Sequence, residues 1–212
     1  MNTVKILFKC TTDNCTTDDQ YRNTPLIYAA RYGRVEVVQA LLECGANVER
    51  VNAIQDTPLH EAASYGHMDV CRLLLDWGAK VDPVNNLKDT PLHLAARSGH
   101  LSVVKLLVER GADVNVKNDN GVTPLHHAAN SGIVSFVKLL LEKGADVNVK
   151  GVGCRTPLHY AAIEGHLSVA KLLVDSGADV RLKDFNGQTA RDLARIERIL
   201  DVAEWLNSVG HE

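Results

Sequence analysis

The tripeptide Thr-Pro-Leu begins at Thr24, Thr57, Thr90, Thr123 and Thr156, always 33 residues apart and with no insertion between copies. A degenerate copy, Thr-Ala-Arg, begins at Thr189, one period further on. Two more markers keep the interval: Gly-Ala pairs at Gly45, Gly78, Gly111, Gly144 and Gly177, and single glycines at Gly33, Gly66, Gly99, Gly132 and Gly165. Such a period means stacked copies of one small unit, because a single unit cannot bury its own apolar face.

The unit can be read from its residue types. In Thr90-Pro91-Leu92-His93, Thr is a good helix N-cap and Pro suits the first helical position. His93 falls where a capping box places Glu or Gln, so its imidazole can bond back toward Thr90. Leu92, Ala95 and Ala96 give a short helix with a small-residue face, and Gly99 stops it by tolerating the left-handed conformation. A second helix follows in 100–110, its buried stripe formed by Val103, Val104, Leu106 and Leu107. Gly111 ends that helix, and an extended connection with turn residues Asn118 and Gly121 leads to Thr123.

The pattern Asp/Asn-x-x-Gly-x-Thr-Pro-Leu-His-x-Ala-Ala-x-x-Gly-His, followed by Val-Val-x-x-Leu-Leu and Gly-Ala-Asp-Val-Asn, resembles the ankyrin repeat family over about residues 19–212. The resemblance implies an all-α fold: an ankyrin-repeat solenoid of helix-turn-helix units with projecting β-hairpin-like fingers. The repeats fall at 21–53, 54–86, 87–119, 120–152, 153–185 and 186–212. In the last, Ala190, Arg191, Asp192 and Arg198 replace the Pro, Leu, His and Gly, a polar pattern suited to a solubilising cap. Residues 1–20 align one period back, Val4 under Val37, Phe8 under Leu41 and Asp19 under Asn52. They read as an N-terminal half repeat or cap, or as the cut edge of a longer array. Arg22, Gln55, Lys88 and Cys154 stand where the family prefers Gly, which leaves the conformation of those fingers open.

Aromatics make up 5% of the chain, so Leu, Val and Ala must fill the core. The net charge is −3 and no run of Lys or Arg is present. Both argue against nucleic-acid binding, whose affinity comes mostly from phosphate neutralisation. No stretch approaches the roughly 18 apolar residues of a membrane span, so no membrane insertion is expected. The five cysteines form an odd, irregularly spaced set. That favours a reducing compartment, the cytoplasm with the nucleus as alternative. Asn14-Cys-Thr16 matches a glycosylation acceptor by chance.

Catalytic, cofactor and metal chemistry are not expected. His60, His93, His126 and His159 all hold the capping position on helices stacked roughly 8–10 Å apart, too far to share a zinc ion. His67, His100 and His166 recur after the first-helix glycine and read as structural. No Gly-x-Ser-x-Gly or His-Glu-x-x-His is present, and Gly151-Val-Gly-Cys154 lacks the ending of a phosphate loop.

Positions held constant by the repeat build the core, and those free to vary face a partner. The family resemblance places the variable ones on a concave groove and the finger tips. After the capping position, His except for Ile27 in the first repeat, these are Tyr28, Glu61, Leu94, His127 and Tyr160. After Ala-Ala they include Arg31-Tyr32, Tyr65, Arg97 and Ile163. Before Thr they include Asp56, Asp89 and Arg155, and the tips include Ile54, Leu87, Asn120 and Phe185. Tyr and Arg are favoured at interface hot spots. The acidic residues among the N-terminal tyrosines suit a partner presenting Arg or Lys. Asn115 and Asn148 each close a Leu-x-x-x-x-x-Asp-Val-Asn stretch, similar to the sequence modified by the asparaginyl hydroxylase that acts on ankyrin repeats. They are candidate hydroxylation sites, with bracing of the turn as the alternative. The expected function is a monomeric scaffold or adaptor for a protein partner. Inhibition of a partner enzyme, or a targeting module from a larger enzyme or channel, are the alternatives.

Overall fold

The structure, a computed structural model, describes residues 18–209. Among these are twelve α-helices and no strand. The chain divides into two compact units, Met1–Ala112 and Asp113–Glu212. The N-terminal half repeat read in 1–20 lies, apart from residues 18–20, outside the described residues.

In the first unit the helices are α1 (Pro25–Arg31), α2 (Val35–Glu43), α3 (Pro58–Ser64), α4 (Met68–Asp76), α5 (Pro91–Ser98) and α6 (Leu101–Glu109). In the second they are α7 (Pro124–Ser131), α8 (Val134–Glu142), α9 (Pro157–Ile163), α10 (Leu167–Asp175), α11 (Ala190–Ile196) and α12 (Leu200–Val209). Each odd-numbered helix packs on its own even-numbered partner. Odd stacks on odd (α1 on α3 on α5; α7 on α9 on α11), and even on even (α2 on α4 on α6; α8 on α10 on α12). This is the all-α stack of helix-turn-helix units that the family resemblance implies.

The capping chemistry starts each inner helix. Thr57 sits in extended backbone, its hydroxyl accepts from His60 N–H at 3.3 Å, and His60 Nδ1 accepts from Thr57 N–H at 3.1 Å. With Nδ1 an acceptor, the ring proton is on Nε2, which donates to the Asp89 carbonyl one repeat on at 3.0 Å. Burial pushes the His60 imidazole down to about 4, so it stays neutral. His126 and His159 repeat the arrangement toward the Arg155 and Gln188 carbonyls. In the last repeat a carboxylate takes over: Asp192 Oδ2 accepts from Thr189 N–H and Oγ–H at 3.0 and 2.7 Å.

The core is the one expected. Leu26, Leu59, Leu92, Leu125 and Leu158 are buried in register, as are Val103, Val104, Leu106 and Leu107. Leu206 is buried and α12 packs on α10, while Lys171 lies over the Trp205 ring.

The fingers are hairpin-like only in their turns, since the described residues contain no strand. Each turn is organised by its first residue. Asn52 Oδ1 accepts from Ile54 and Asp56 N–H at 3.0 and 2.9 Å, while Gln55 N–H closes on the Asn52 carbonyl. Asp19, Asn85, Asn118 and Asp184 do the same in their own fingers. Gly151 has no such side chain, and there a 3-10 turn, Val152–Cys154, replaces the motif. The last turn residue is left-handed whether or not it is glycine: Arg22, Gln55, Lys88 and Cys154 have φ of 61°, 65°, 57° and 60°. The family conformation is therefore kept without the family residue.

Cys44 is disulfide-bonded, which the odd cysteine count did not anticipate. Cys71 and Cys154 are free, the first buried and the second exposed.

Candidate functional site

In the first unit, Arg31 is the centre of the variable face. It leaves the last turn of α1 and donates from Nε and Nη2 to both carboxylate oxygens of Glu61, at 2.9 and 2.7 Å. Its guanidinium carbon lies 5.5 Å from the centroid of the Tyr28 ring. Tyr28 in turn lies parallel to Tyr32, centroids 6.4 Å apart. The Tyr28 hydroxyl donates to Asp19 Oδ2 at 2.6 Å and holds that carboxyl down at about 2.

Burial divides the expected contact residues into two groups. Tyr32 and Tyr65 are 61% and 55% exposed, and Arg97 is exposed as well. Tyr28 and Arg31 are half-buried. By contrast Asp56, Glu61, Asp89 and Leu94 are buried. Their positions vary between repeats, but their side chains are committed inside the unit. Glu61 is taken by Arg31; Asp89 lies 3.5 Å from Arg97; Asp56 accepts from Asn85 Nδ2 at 2.9 Å. Burial first, opposed by that hydrogen bond and reinforced by the nearby Glu61 and Asp89 charges, pushes Asp56 up to about 6. The expectation of an acidic groove open to a partner's Arg or Lys therefore does not hold for these carboxylates. A buried carboxylate needs a local donor, and the chain supplies its own.

Besides exposed cations such as Arg22, Lys88 and Arg97, the surface presents large apolar and aromatic side chains. Tyr21, Ile54 and Leu87 stand one period apart at the finger tips, 61%, 55% and 55% exposed. Successive fingers are tied by Ala53 N–H to the Tyr21 carbonyl and Asn86 N–H to the Ile54 carbonyl, at 2.9 and 3.0 Å. Tyr21 was missed in the sequence, although counting back from Ile54 by one period finds it.

In the second unit, Tyr160, Ile163, Arg155 and His127 are half-buried. Tyr160 meets the His126 ring edge-on at 5.6 Å. Arg155 lies 3.5 Å from buried Asp184, and the next residue, Phe185, is 83% exposed. Asn115 and Asn148 brace neighbouring repeats. Asn115 Nδ2 donates to the Gly144 carbonyl at 3.0 Å and its Oδ1 accepts from Asp146 N–H at 2.9 Å. Asn148 does the same to Gly177 and Asp179. Among the described residues no group of three or more His, Cys, Asp or Glu is placed to hold a metal. No helix among them is long and apolar enough to cross a membrane.

Paired helices with a finger between each pair, and variable side chains on one helical row, make up an array of helical repeats. A family model described as ankyrin repeats (3 copies) matches residues 1–85 and 78–151, and one described as ankyrin repeat matches 154–185. The chain belongs to the ankyrin repeat family, whose members generally serve as protein–protein interaction modules. No curated protein matches the chain.

Proposed function

We infer that this chain is a non-catalytic scaffold that holds a protein partner on its variable face. One observation carries the reading: Tyr32 and Tyr65 stand one period apart and more than half exposed, beside a guanidinium already neutralised by Glu61. Large rings left in water on a face whose charges are internally paired favour apolar anchoring over ion pairing. The partner segment this suits carries hydrophobic side chains that reach between the tyrosines and the tips at Tyr21, Ile54 and Leu87. Its specificity comes from spacing, since the anchors recur with the repeat.

The test is affinity capture followed by titration of the identified partner against the Tyr32→Ala/Tyr65→Ala double variant. Binding should weaken by at least about 2 kcal/mol, roughly thirtyfold. The thermal midpoint should hardly move, because both rings are largely exposed. Unchanged affinity would remove the tyrosine face from the binding site.

A further inference from the structure

A different surface, in the second unit, carries a binding site of its own. At the position where five earlier repeats bury Leu26, Leu59, Leu92, Leu125 and Leu158, the last repeat has Arg191. Its guanidinium is only partly used. Nη1 donates to Asn207 Oδ1 at 3.0 Å, and Nη2 lies 3.6 Å from Asp192 Oδ1. Nε is buried and has no acceptor. Buried donors are nearly always paired, so one left over calls for an acceptor that the chain itself does not provide.

Beside it is a cleft of about 210 Å³, lined by Val180, Arg181, Lys183, Thr189, Arg191 and Leu206. Its charges can be matched one by one. Arg181 is held by Asp179 at 3.0 Å and Arg191 by Asp192, while Lys183 is exposed and has no ion pair among the described residues. One positive charge is left over. Thr189 does not compete for an incoming acceptor, since its hydroxyl is spent on Asp192. Val180 and Leu206 supply an apolar wall. Two residues from Lys183 on the same finger stands Phe185, 83% exposed.

We propose that this cleft binds a peptide carboxylate: an aspartate or glutamate side chain next to a hydrophobic residue in a partner segment. The carboxylate sits between Lys183 and Arg191, and a small turn of the guanidinium gives Nε its missing acceptor. The aliphatic stem lies on Leu206 and Val180, and the neighbouring hydrophobic side chain reaches Phe185. A single unmatched cation selects a monoanion rather than a phosphate dianion. Charge-assisted hydrogen bonds of this kind are the strong ones. The site is independent of the tyrosine face of the first unit.

The test is an NMR titration of the nitrogen-15-labelled 212-residue chain, reading the Arg191 Nε–H signal and the Lys183 amide. The Nε–H signal is assigned by its loss in Arg191→Lys. The probe is a blocked pentapeptide with one glutamate beside a leucine, with its glutamine counterpart and inorganic phosphate as further arms. The glutamate peptide should shift both signals saturably, and the glutamine peptide should bind at least about tenfold more weakly. Lys183→Ala, at an exposed position, should weaken the glutamate peptide to a similar extent and leave the unfolding midpoint unchanged. Equal binding of the two peptides, or an unaffected Lys183→Ala variant, overturns the proposal. Saturation by phosphate at lower concentration than by the peptide also overturns it, in favour of a dianion site.

Discussion

The His67 ring lies against the α-carbon of Gly33, so close that a β-carbon built on Gly33 would fall 2.6 Å from His67 Nδ1. The same ring reaches past it, Nε2 donating to the Arg31 carbonyl at 2.9 Å. One histidine thus closes the end of α1 and joins two repeats, provided the neighbour has no side chain. His100 over Gly66 and His166 over Gly132 repeat the contact.

Gly33→Ala should therefore be costly on two counts. Gly33 has φ of +66°, and a left-handed L-residue costs about 1–2 kcal/mol. Displacing the imidazole adds about 1–3 kcal/mol of overpacking. A loss of about 2–5 kcal/mol is expected from denaturant unfolding. Gly45→Ala, with nothing within 4 Å of the added carbon, should lose only the conformational part. Equal losses at the two glycines would contradict the role given to His67.

Asp56 and His60 set opposite pH dependences in the same unit. Asp56 is raised to about 6, so between roughly pH 4 and 6 the folded chain holds a proton that the unfolded chain has released. Stability from this group is present below its unfolded pKa and is lost as pH rises through 6. His60 is lowered to about 4, so the unfolded chain takes the proton first, and stability is lost as pH falls from about 6.5 to 4. The two slopes oppose each other in the wild-type chain. Asp56→Asn keeps an acceptor for Asn85 and removes one slope. It should stabilise by up to about 2 kcal/mol at pH 7 and leave a steeper loss of stability on acidification. Urea unfolding from pH 4 to 7.5 checks this, and parallel curves for the two proteins would refute it.

Lys88 occupies a left-handed finger position, φ 57°, that glycine adopts at no steric cost. Lys88→Gly relieves about 1–2 kcal/mol of backbone strain and returns about 0.5–1 kcal/mol to the unfolded chain's entropy. A net gain of up to about 1 kcal/mol is expected, read as a higher unfolding midpoint. A loss would show that the lysine side chain contributes more than its backbone costs.

Deleting residues 186–212 should destabilise the second unit. It removes α11 and α12, which cover α9 and α10, and so uncovers part of the face built by Leu158, Val169 and Leu173. At about 25 cal/mol per Å² of apolar surface, a few hundred Å² corresponds to several kcal/mol, against a total near 5–15 kcal/mol for a domain. Fraying of α9 and α10, seen as lost amide protection, is the expected result. Full protection there would show that the last repeat does not stabilise them.

The sequence by itself determined the period, the helix starts at each Thr-Pro, the glycine stops and the buried Leu and Val rows. All of these are local matters of capping, backbone conformation and apolar spacing. The exposed row of Tyr32 and Tyr65 was legible too, because a repeat presents the same face wherever its position recurs. Tertiary structure decided what the carboxylates do. Whether Glu61 points at a partner or at home depends on Arg31, which lies in a different repeat and becomes a neighbour only on stacking. Asp89 and Arg155 are likewise paired, with Arg97 and Asp184, but each within its own repeat. The fingers show the same division at the level of the backbone. Gln55 and Lys88 prefer φ below zero on their own, yet Asn52 and Asn85 close their turns from three residues away and the neighbouring fingers hold them there. Residue preference is a local energy of about one kcal/mol, and two or three hydrogen bonds outweigh it once the neighbouring repeat is in place.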